Sequence, residues 1–553
     1  MPTSTRTYCN PLNLPYRFQT PDRAPELYRE AADPSVVVFD DCYWLFASKS
    51  GGYWYSTDLL DWVFVKSTAL PVDDYAPDVR VIRGWLYFTA SDNQKPCAIY
   101  RTQNPKADQW EKVSAPFAYW DPNLFEDEDG QVYLYWGCNN RVPIQGVKMD
   151  PQTMLPIGEP VELLGGMPDQ HGFERCGEDH CLPNQAPFIE GAWMTKHNGR
   201  YYLQYAGPGT EWNVYADGVY ESDSPLGPFT YAANNPYSYK PGGFIPGAGH
   251  GSTFEDTHGN LWHISTMRIS VKHAFERRIG LFPAGFDDDG MLYCNTRFAD
   301  YPTHIPNSQW DAMADPFTGW MLLSYDKPVT ASSTRQGHPP ELAVNENIQN
   351  GWSATDDDQT PWLMVDLKHH CDIHAIQINF AEQDCQWDAV MQGDLAHQYL
   401  LEISDDGQRW QSLSDKQDNT LDQPHDYLTW DTPHRGRYVR IQSKHTAAAG
   451  KFAISGLRVF GKADVALPEQ VQTITVQRDN LGMDAQLTWQ ADEKATGYNV
   501  LWGIAADKLY QCHTVYNQSD VKLGALDKGK NYWLRIDSFN EAGVTEGSIN
   551  LMF

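Results

Sequence analysis

The sequence predicts an all-β chain, a five-bladed β-propeller followed by two β-sandwiches. Three observations carry that expectation. Aromatic residues fill 13% of the 553 positions, with 20 Trp and 30 Tyr, and aromatic side chains favour strands. Blocks of helix-forming residues are scarce, while 42 Gly and 36 Pro punctuate the chain. Above all, one phrase recurs through residues 1–300: an aromatic strand, a turn, a second strand, and a closing Trp or Pro-Phe.

The instances come in order. Residues 43–48 lead to Trp62, and residues 86–91 lead to Trp110. Residues 132–137 follow, then 201–206 leading to Pro228-Phe229, then 261–265. A spacing of roughly 45–70 residues suits propeller blades with insertions. Turns at Asp129-Gly130, Asn198-Gly199 and His258-Gly259-Asn260 favour tight hairpins. An irregular array of sandwiches is the competing arrangement, but ordered repetition favours the propeller. A propeller brings one end of each innermost strand to a shared axial pocket, so distant residues can meet there.

Residues 301–325 read as a docked connector. From 326 to 463 the texture changes to alternating apolar residues with short turns, around Trp352, Trp362, Trp410 and Tyr438. That pattern indicates a jelly-roll sandwich. Residues 464–553 carry Trp489 on an early strand and Tyr532 near a later one, which fits an immunoglobulin-like sandwich.

The formal net charge is −30 and the pI about 4.8. Such a surface repels phosphate backbones and anionic membranes, so nucleic acid and membrane partners are not expected. No apolar run approaches the length of a membrane span. The N-terminus lacks a signal-type apolar stretch, so the expected compartment is the cytoplasm as the sequence stands, or the periplasm or exterior if a leader was removed. The ten cysteines are scattered without a CxxC pair, which argues against a zinc module. Cys42, Cys97 and Cys138 read as small core residues. No glycine-rich nucleotide loop is present, and 287–290 reads as an acidic hairpin turn.

Three carboxylates stand out. Glu190 sits between an apolar pair and Trp193, in Phe188-Ile189-Glu190-Gly191-Ala192-Trp193. An acid held against apolar surface is expected to keep its proton near neutral pH, as a general acid must. Asp33 in Ala32-Asp33-Pro34 and Asp121 in Trp120-Asp121-Pro122 each precede a strand, with proline fixing the backbone after them. Three carboxylates on one axial pocket suit glycoside hydrolysis. An ionised aspartate activates water, and a protonated glutamate serves the leaving oxygen. The third carboxylate tunes the acid. A separation of roughly 6.5–9.5 Å between base and acid inverts the anomeric centre.

With these phrases the chain resembles glycoside hydrolase family 43, the five-bladed propellers of the arabinanase and xylosidase clan. Asp127-x-Asp129-Gly130, the 222–229 phrase and Gly249-His250-Gly251-Ser252 extend the likeness. The resemblance implies Asp33 as general base, Asp121 as pKa modulator and Glu190 as general acid. It makes His250 the axial histidine, near a water or a metal ion such as calcium, with no cofactor required for the chemistry. Arg277 or Arg278 matches a late-blade arginine that contacts the sugar or the acid, and Arg278 is the expected one. The implied substrate is an oligo- or polysaccharide of plant or algal origin. An exo-acting, inverting enzyme would release terminal β-D-xylose or α-L-arabinofuranose from it. A galactose-releasing relative and a catalytically silent carbohydrate-binding protein are the alternatives.

Several residues are candidates for the sugar-facing wall. Tyr53, Trp54 and Trp120 are candidate stacking platforms. Tyr75 and Trp193 stand where the sequence departs from the family's usual phrases. His171 and Glu174 lie in an insertion just before the acid, expected to form a lid or subsite wall; its His and Cys residues match no zinc spacing. Residues 210–213 read as another rim loop. The second part resembles the discoidin or coagulation-factor type C domain, through Ala343-Val344-Asn345, Trp352, 362–367 and 438–441. Calcium at Asn345 and Asn350 is not supported by the sequence. The third part resembles fibronectin type III and reads as a spacer.

Overall fold

The structure is a computed structural model and describes residues 6–551. The repeated phrases form five four-stranded antiparallel sheets. The first comprises Ala32–Phe39, Cys42–Ser48, Gly52–Ser56 and Val63–Lys66. The other four begin at Tyr75–Ile82, Asn123–Glu126, Glu190–His197 and Gly249–Glu255, and each adds its strands outward in chain order. Their innermost strands lie side by side around one axis and close on themselves, the fifth against the first.

Local chemistry explains the hairpins. Three blades join their first two strands through two-residue turns with both φ angles positive: Asp40-Asp41, Arg83-Gly84 and Asn198-Gly199. Turns of that hand match the twist of the flanking strands, and Asp, Asn and Gly tolerate the left-handed region.

A second backbone device recurs at the axis. One residue at the mouth of every innermost strand has a positive φ: Asp33 (+51°), Ala76 (+44°), Asp121 (+48°), Gly191 (+64°) and His250 (+49°). Four of the five are not glycine, a conformation that costs on the order of 1–3 kcal/mol and persists only where its surroundings enforce it. Here the Asp217 carboxylate holds the His250 N–H at 2.6 Å, and hydroxyls of a neighbouring blade hold the other three. The N–H groups of Ala76, Asp121 and Asp33 donate to Ser48 Oγ, Ser91 Oγ and Thr266 Oγ1 at 2.7, 2.7 and 2.8 Å.

Two residues after each of these seats, a side chain bonds to the backbone of a neighbouring blade. Ser35 accepts from Val79 N (3.1 Å), Asp78 from Leu124 N (2.7 Å), and Asn123 from Met194 N (2.8 Å). Trp193 Nε1 donates to Thr253 O (3.0 Å), and Ser252 accepts from Val36 N (3.1 Å), which completes the ring. The N-terminal segment covers the joint between first and fifth blades, where Leu12, Leu14 and Tyr16 pack with Val36, Trp262 and Ile279.

The second part is built on the long strands Trp362–Phe380, His425–His445 and Ala453–Ala463, whose inward residues form a core around Trp352 and Tyr399. Met321–Leu322, within the expected connector, pairs with the last of these strands. The third part has a three-stranded sheet around Ala485–Trp489 and a five-stranded sheet around Gly497–Gly503 and Trp533–Asn540. It is not a spacer. Its buried Leu487, Trp502, Leu526 and Tyr532 share one apolar cluster with Phe173, Tyr205 and Tyr239 of the propeller.

Candidate active site

Asp33 and Asp121 occupy equivalent seats on the first and third blades, whereas Glu190 is one residue ahead of its seat, at Gly191. Asp33 is buried among donors. Ser48 Oγ donates to Oδ2 at 2.6 Å, Arg277 to Oδ1 at 2.9 Å, and Thr266 Oγ1 to Oδ1 at 3.3 Å. Burial opposes its ionisation. Arg277, His250 and the Ser48 hydroxyl outweigh burial and hold its pKa below the ordinary aspartate value.

Asp121 has the opposite environment. Burial, with the charges of Glu190 and Asp33, pushes its pKa up to about 7 against the pull of His250. A raised carboxyl therefore stands at Asp121, beside Glu190. Carboxyls this close titrate as a set, so the proton belongs to the group of acids. One oxygen of Asp121, one of Glu190 and Cys138 Sγ lie within 4.8 Å of one another. Tyr215 Oη donates to Glu190 Oε1 at 2.5 Å and the Cys138 thiol to Oε2 at 2.9 Å, fixing both oxygens.

The pocket holds about 310 Å3 and is lined by Tyr75, Trp120, Cys138, Phe188, Phe275 and Arg277 beside the acids. Tyr75 and Trp120 stand where the sequence placed them, and Thr210 of the expected rim loop joins them. Other wall candidates are corrected. Tyr53 and Trp54 are fully buried in the first blade's packing, with Tyr53 Oη bonded to Pro105 O. Trp193 is part of the interblade ring, its indole beneath the Arg80 guanidinium at 3.4 Å. His171 stacks on Tyr231 and pairs with Asp527 of the third domain at 3.2 Å. Glu174 is buried beside Tyr205 Oη at 2.6 Å. His171 serves the docking of that domain, onto which the insertion folds, while Glu174 ties the insertion to the fourth blade through Tyr205.

Arg278 is also corrected. Successive strand residues point to opposite sides, so Arg277 faces Asp33 while Arg278 faces away, its Nε 2.8 Å from His425 Nε2. Cys138, expected in a core, is a pocket residue. Tyr215 and Phe275 were missed because neither belongs to a carboxylate phrase. The nearby Arg277 was the one signal for Phe275, which lies in the turn just before the strand Arg277–Phe286.

His250 Nδ1 lies 3.6 Å from Asp33 Oδ1 and 3.8 Å from Asp121 Oδ2. Burial disfavours its charge, but Asp33, Asp121, Glu190 and Asp217 together raise its pKa. Calcium takes six to eight oxygens, whereas the ring offers a nitrogen with one oxygen each of Asp33 and Asp121 at 3.6 and 3.8 Å from it. The residues around His250 Nδ1 therefore do not fit calcium. Asp121, Cys138 and Glu190 could converge on one ion. Burial and both carboxylates, however, keep the thiol protonated, with a pKa far above its usual value.

Residues 23–292 match the model for glycosyl hydrolases family 43, and residues 328–455 that for the F5/8 type C domain. The β-D-galactofuranosidase xynD of Aspergillus niger is 25% identical over 36% of this chain and 63% of its own length. A β-xylosidase of Xylanibacter ruminicola is 32% identical over 20% of this chain and 39% of its own. A xylosidase/arabinosidase 43A of Humicola insolens is 30% identical over 28% and 56%. The chain thus spans less than two thirds of these relatives. An all-β propeller with three carboxylates on its axis and a family match over the same residues agree: this chain carries a glycosyl hydrolases family 43 domain at 23–292, followed by an F5/8 type C domain at 328–455.

Proposed function

We propose that the chain is an exo-acting, inverting glycoside hydrolase that releases terminal β-D-xylose or α-L-arabinofuranose from plant or algal polysaccharides or their oligosaccharides. The observation that carries this reading is the meeting of three carboxyls on one small pocket, one of them clamped by an arginine and one left beside two like charges. Asp33, clamped by Arg277 and Ser48, stays anionic and activates water as general base. Glu190, presented by Tyr215 and Cys138, gives the proton to the leaving oxygen. Asp121 shares and tunes that proton. A volume of about 310 Å3, at the low end for ligand pockets, suits a terminal sugar better than a polymer threaded through. No metal enters this chemistry. The third domain we read as fibronectin type III-like.

Xylose and arabinose are favoured by the names of the Xylanibacter and Humicola relatives. A galactose-releasing reading has one specific support, the name of the Aspergillus relative. A panel of nitrophenyl glycosides separates them. Losing a general acid costs about 10²–10⁴-fold, so Glu190→Gln loses that much on poor leaving groups and recovers on activated ones. Asp33→Asn is not rescued by leaving-group activation, and a chelator leaves the wild-type rate unchanged. Equal release by wild type and Glu190→Gln would sink the assignment of the acid. Retention of anomeric configuration by NMR would refute inversion.

A further inference from the structure

Two dipeptides at the edge of the pocket each face two ways. Glu30 and Arg277 point inward: Arg277 bridges Glu30 Oε1 and Asp33 Oδ1, both at 2.9 Å. Their neighbours Arg29 and Arg278 point outward into the F5/8 type C domain. Arg29 Nε donates to Glu382 at 2.5 Å and its NH1 to Asp422 at 2.8 Å. Arg278 Nε donates to His425 Nε2 at 2.8 Å, and the other nitrogen of that ring donates to Asn379 Oδ1 at 2.8 Å. Arg278 NH1 also holds Arg29 O at 2.9 Å, which ties the two dipeptides together. Apart from the partly exposed Asp422, every charged member of this set is at least 95% buried.

The same domain grips the loop that supplies Phe275. Lys272 Nζ donates to the carbonyls of Ala381 and Glu382 at 3.1 and 2.8 Å, and Gln349 Nε2 to Ile269 O at 2.8 Å. The backbone carrying Phe275 and Arg277 is thus held from outside the propeller.

We propose that the F5/8 type C domain is a working part of the catalytic pocket. Through Glu382, Asp422 and His425 it positions Arg29 and Arg278, and through their neighbours it sets the Arg277–Asp33 contact. These are positioning residues, and their effect on catalysis rests on the reading of Asp33 as the base. A tethered sugar-binding module would act only on polymeric substrate. A brace acts on every substrate, including those too small to leave the pocket.

The charged and titratable groups facing Asp33 are Arg277, His250, Asp121, Glu190, Tyr215 and Cys138, with Glu30 behind Arg277. Asp422→Asn and His425→Gln change none of these directly. The experiment measures kcat/KM against pH for both variants on a small nitrophenyl glycoside, with folding checked by circular dichroism. Looser Arg277 stabilises the Asp33 anion less, so the acid limb moves to higher pH and kcat falls about fivefold or more. Unchanged profiles in both folded variants, or a loss confined to polymeric substrate, would overturn the proposal. If wild type hydrolyses no glycoside, the functional reading has failed, and the brace is then judged by a crystal structure of Asp422→Asn. An undisturbed Arg277–Asp33 contact there would refute it, and a displaced one would support it.

Discussion

At the scale of the residue, the pocket separates three chemically similar acids by what surrounds them. Asp33 has an arginine and two hydroxyls, while Asp121 has burial and two like charges. The sign of the pH dependence follows. With Asp33 as the proposed base, activity would need it ionised, so the acid limb is expected below the ordinary aspartate value. It also needs the proton shared around Asp121, which titrates near 7, so the alkaline limb lies close to pH 7. Asp121→Asn removes a negative charge beside that proton, which then leaves more easily. The alkaline limb of kcat/KM on nitrophenyl substrates should move down by about one pH unit, an upward shift being incompatible with this account. The three acids were legible because each sits in a short phrase with proline or glycine beside it. The assignment of the raised pKa was not, since it depends on distances among residues from three blades. Cys138 and Tyr215 were hidden for the same reason. Cys138 approaches Glu190 from the loop after Val132–Trp136 and Tyr215 from the loop before Ala216–Ser222, and no local spacing records that approach.

At the scale of the element, the innermost strands do two jobs on neighbouring positions. The seat bears a positive φ, and the residue two positions later stitches blade to blade. Trp193 drew notice as a departure from the family's usual phrase after the acid, which says nothing of where its ring goes. Its indole N–H fills the fourth place in a ring otherwise made by Ser35, Asp78, Asn123 and Ser252. Trp193→Phe keeps the ring plane and leaves Thr253 O without its donor. A buried unsatisfied carbonyl costs about 1–3 kcal/mol, so chemical denaturation should show a loss of that size. KM for nitrophenyl substrates should stay within about twofold of wild type, because Trp193 does not line the pocket. A large change in KM with unchanged stability would return Trp193 to the sugar wall. The blade order was readable from aromatic periodicity, and the Asn198-Gly199 hairpin from its turn chemistry. Asp40-Asp41 and Arg83-Gly84 were not, and the turns at Asp129-Gly130 and His258-Gly259-Asn260 are five-residue loops. The ring was not readable, because its five members share a position but are spread over four residue types.

At the scale of the whole molecule, both sandwiches are welded to the propeller by apolar packing and ion pairs together. The F5/8 type C domain docks through Arg29 and its acidic partners and through Phe460 against Phe298 and Tyr301, and the third domain through apolar packing continuous with two blades. Phe173, at the heart of that packing, lies on the insertion directly before Phe188 and Glu190. Arg175 NH2 donates to Gly524 O at 2.6 Å and pairs with Asp484. Deleting residues 464–553 should therefore expose a large apolar face and yield aggregated or strongly destabilised protein. Soluble, monodisperse truncated protein with an unchanged melting temperature would show the packing to be dispensable. Domain order was visible in the sequence as changes of texture. The shared core was not, since an apolar residue in a strand looks the same whether its partner belongs to its own domain or another.

The separation between seat and stitch has a consequence for descent. Asp33, Asp121 and His250 can be replaced without touching Ser35, Asn123 or Ser252, so reactivity and ring closure are inherited on independent letters. A lineage that retired from hydrolysis would change the first set and keep the second. A lineage that lost its fold would lose the second first. Ala76 and Gly191, the two seats without a polar side chain, already mark where this scaffold keeps its shape without contributing to chemistry.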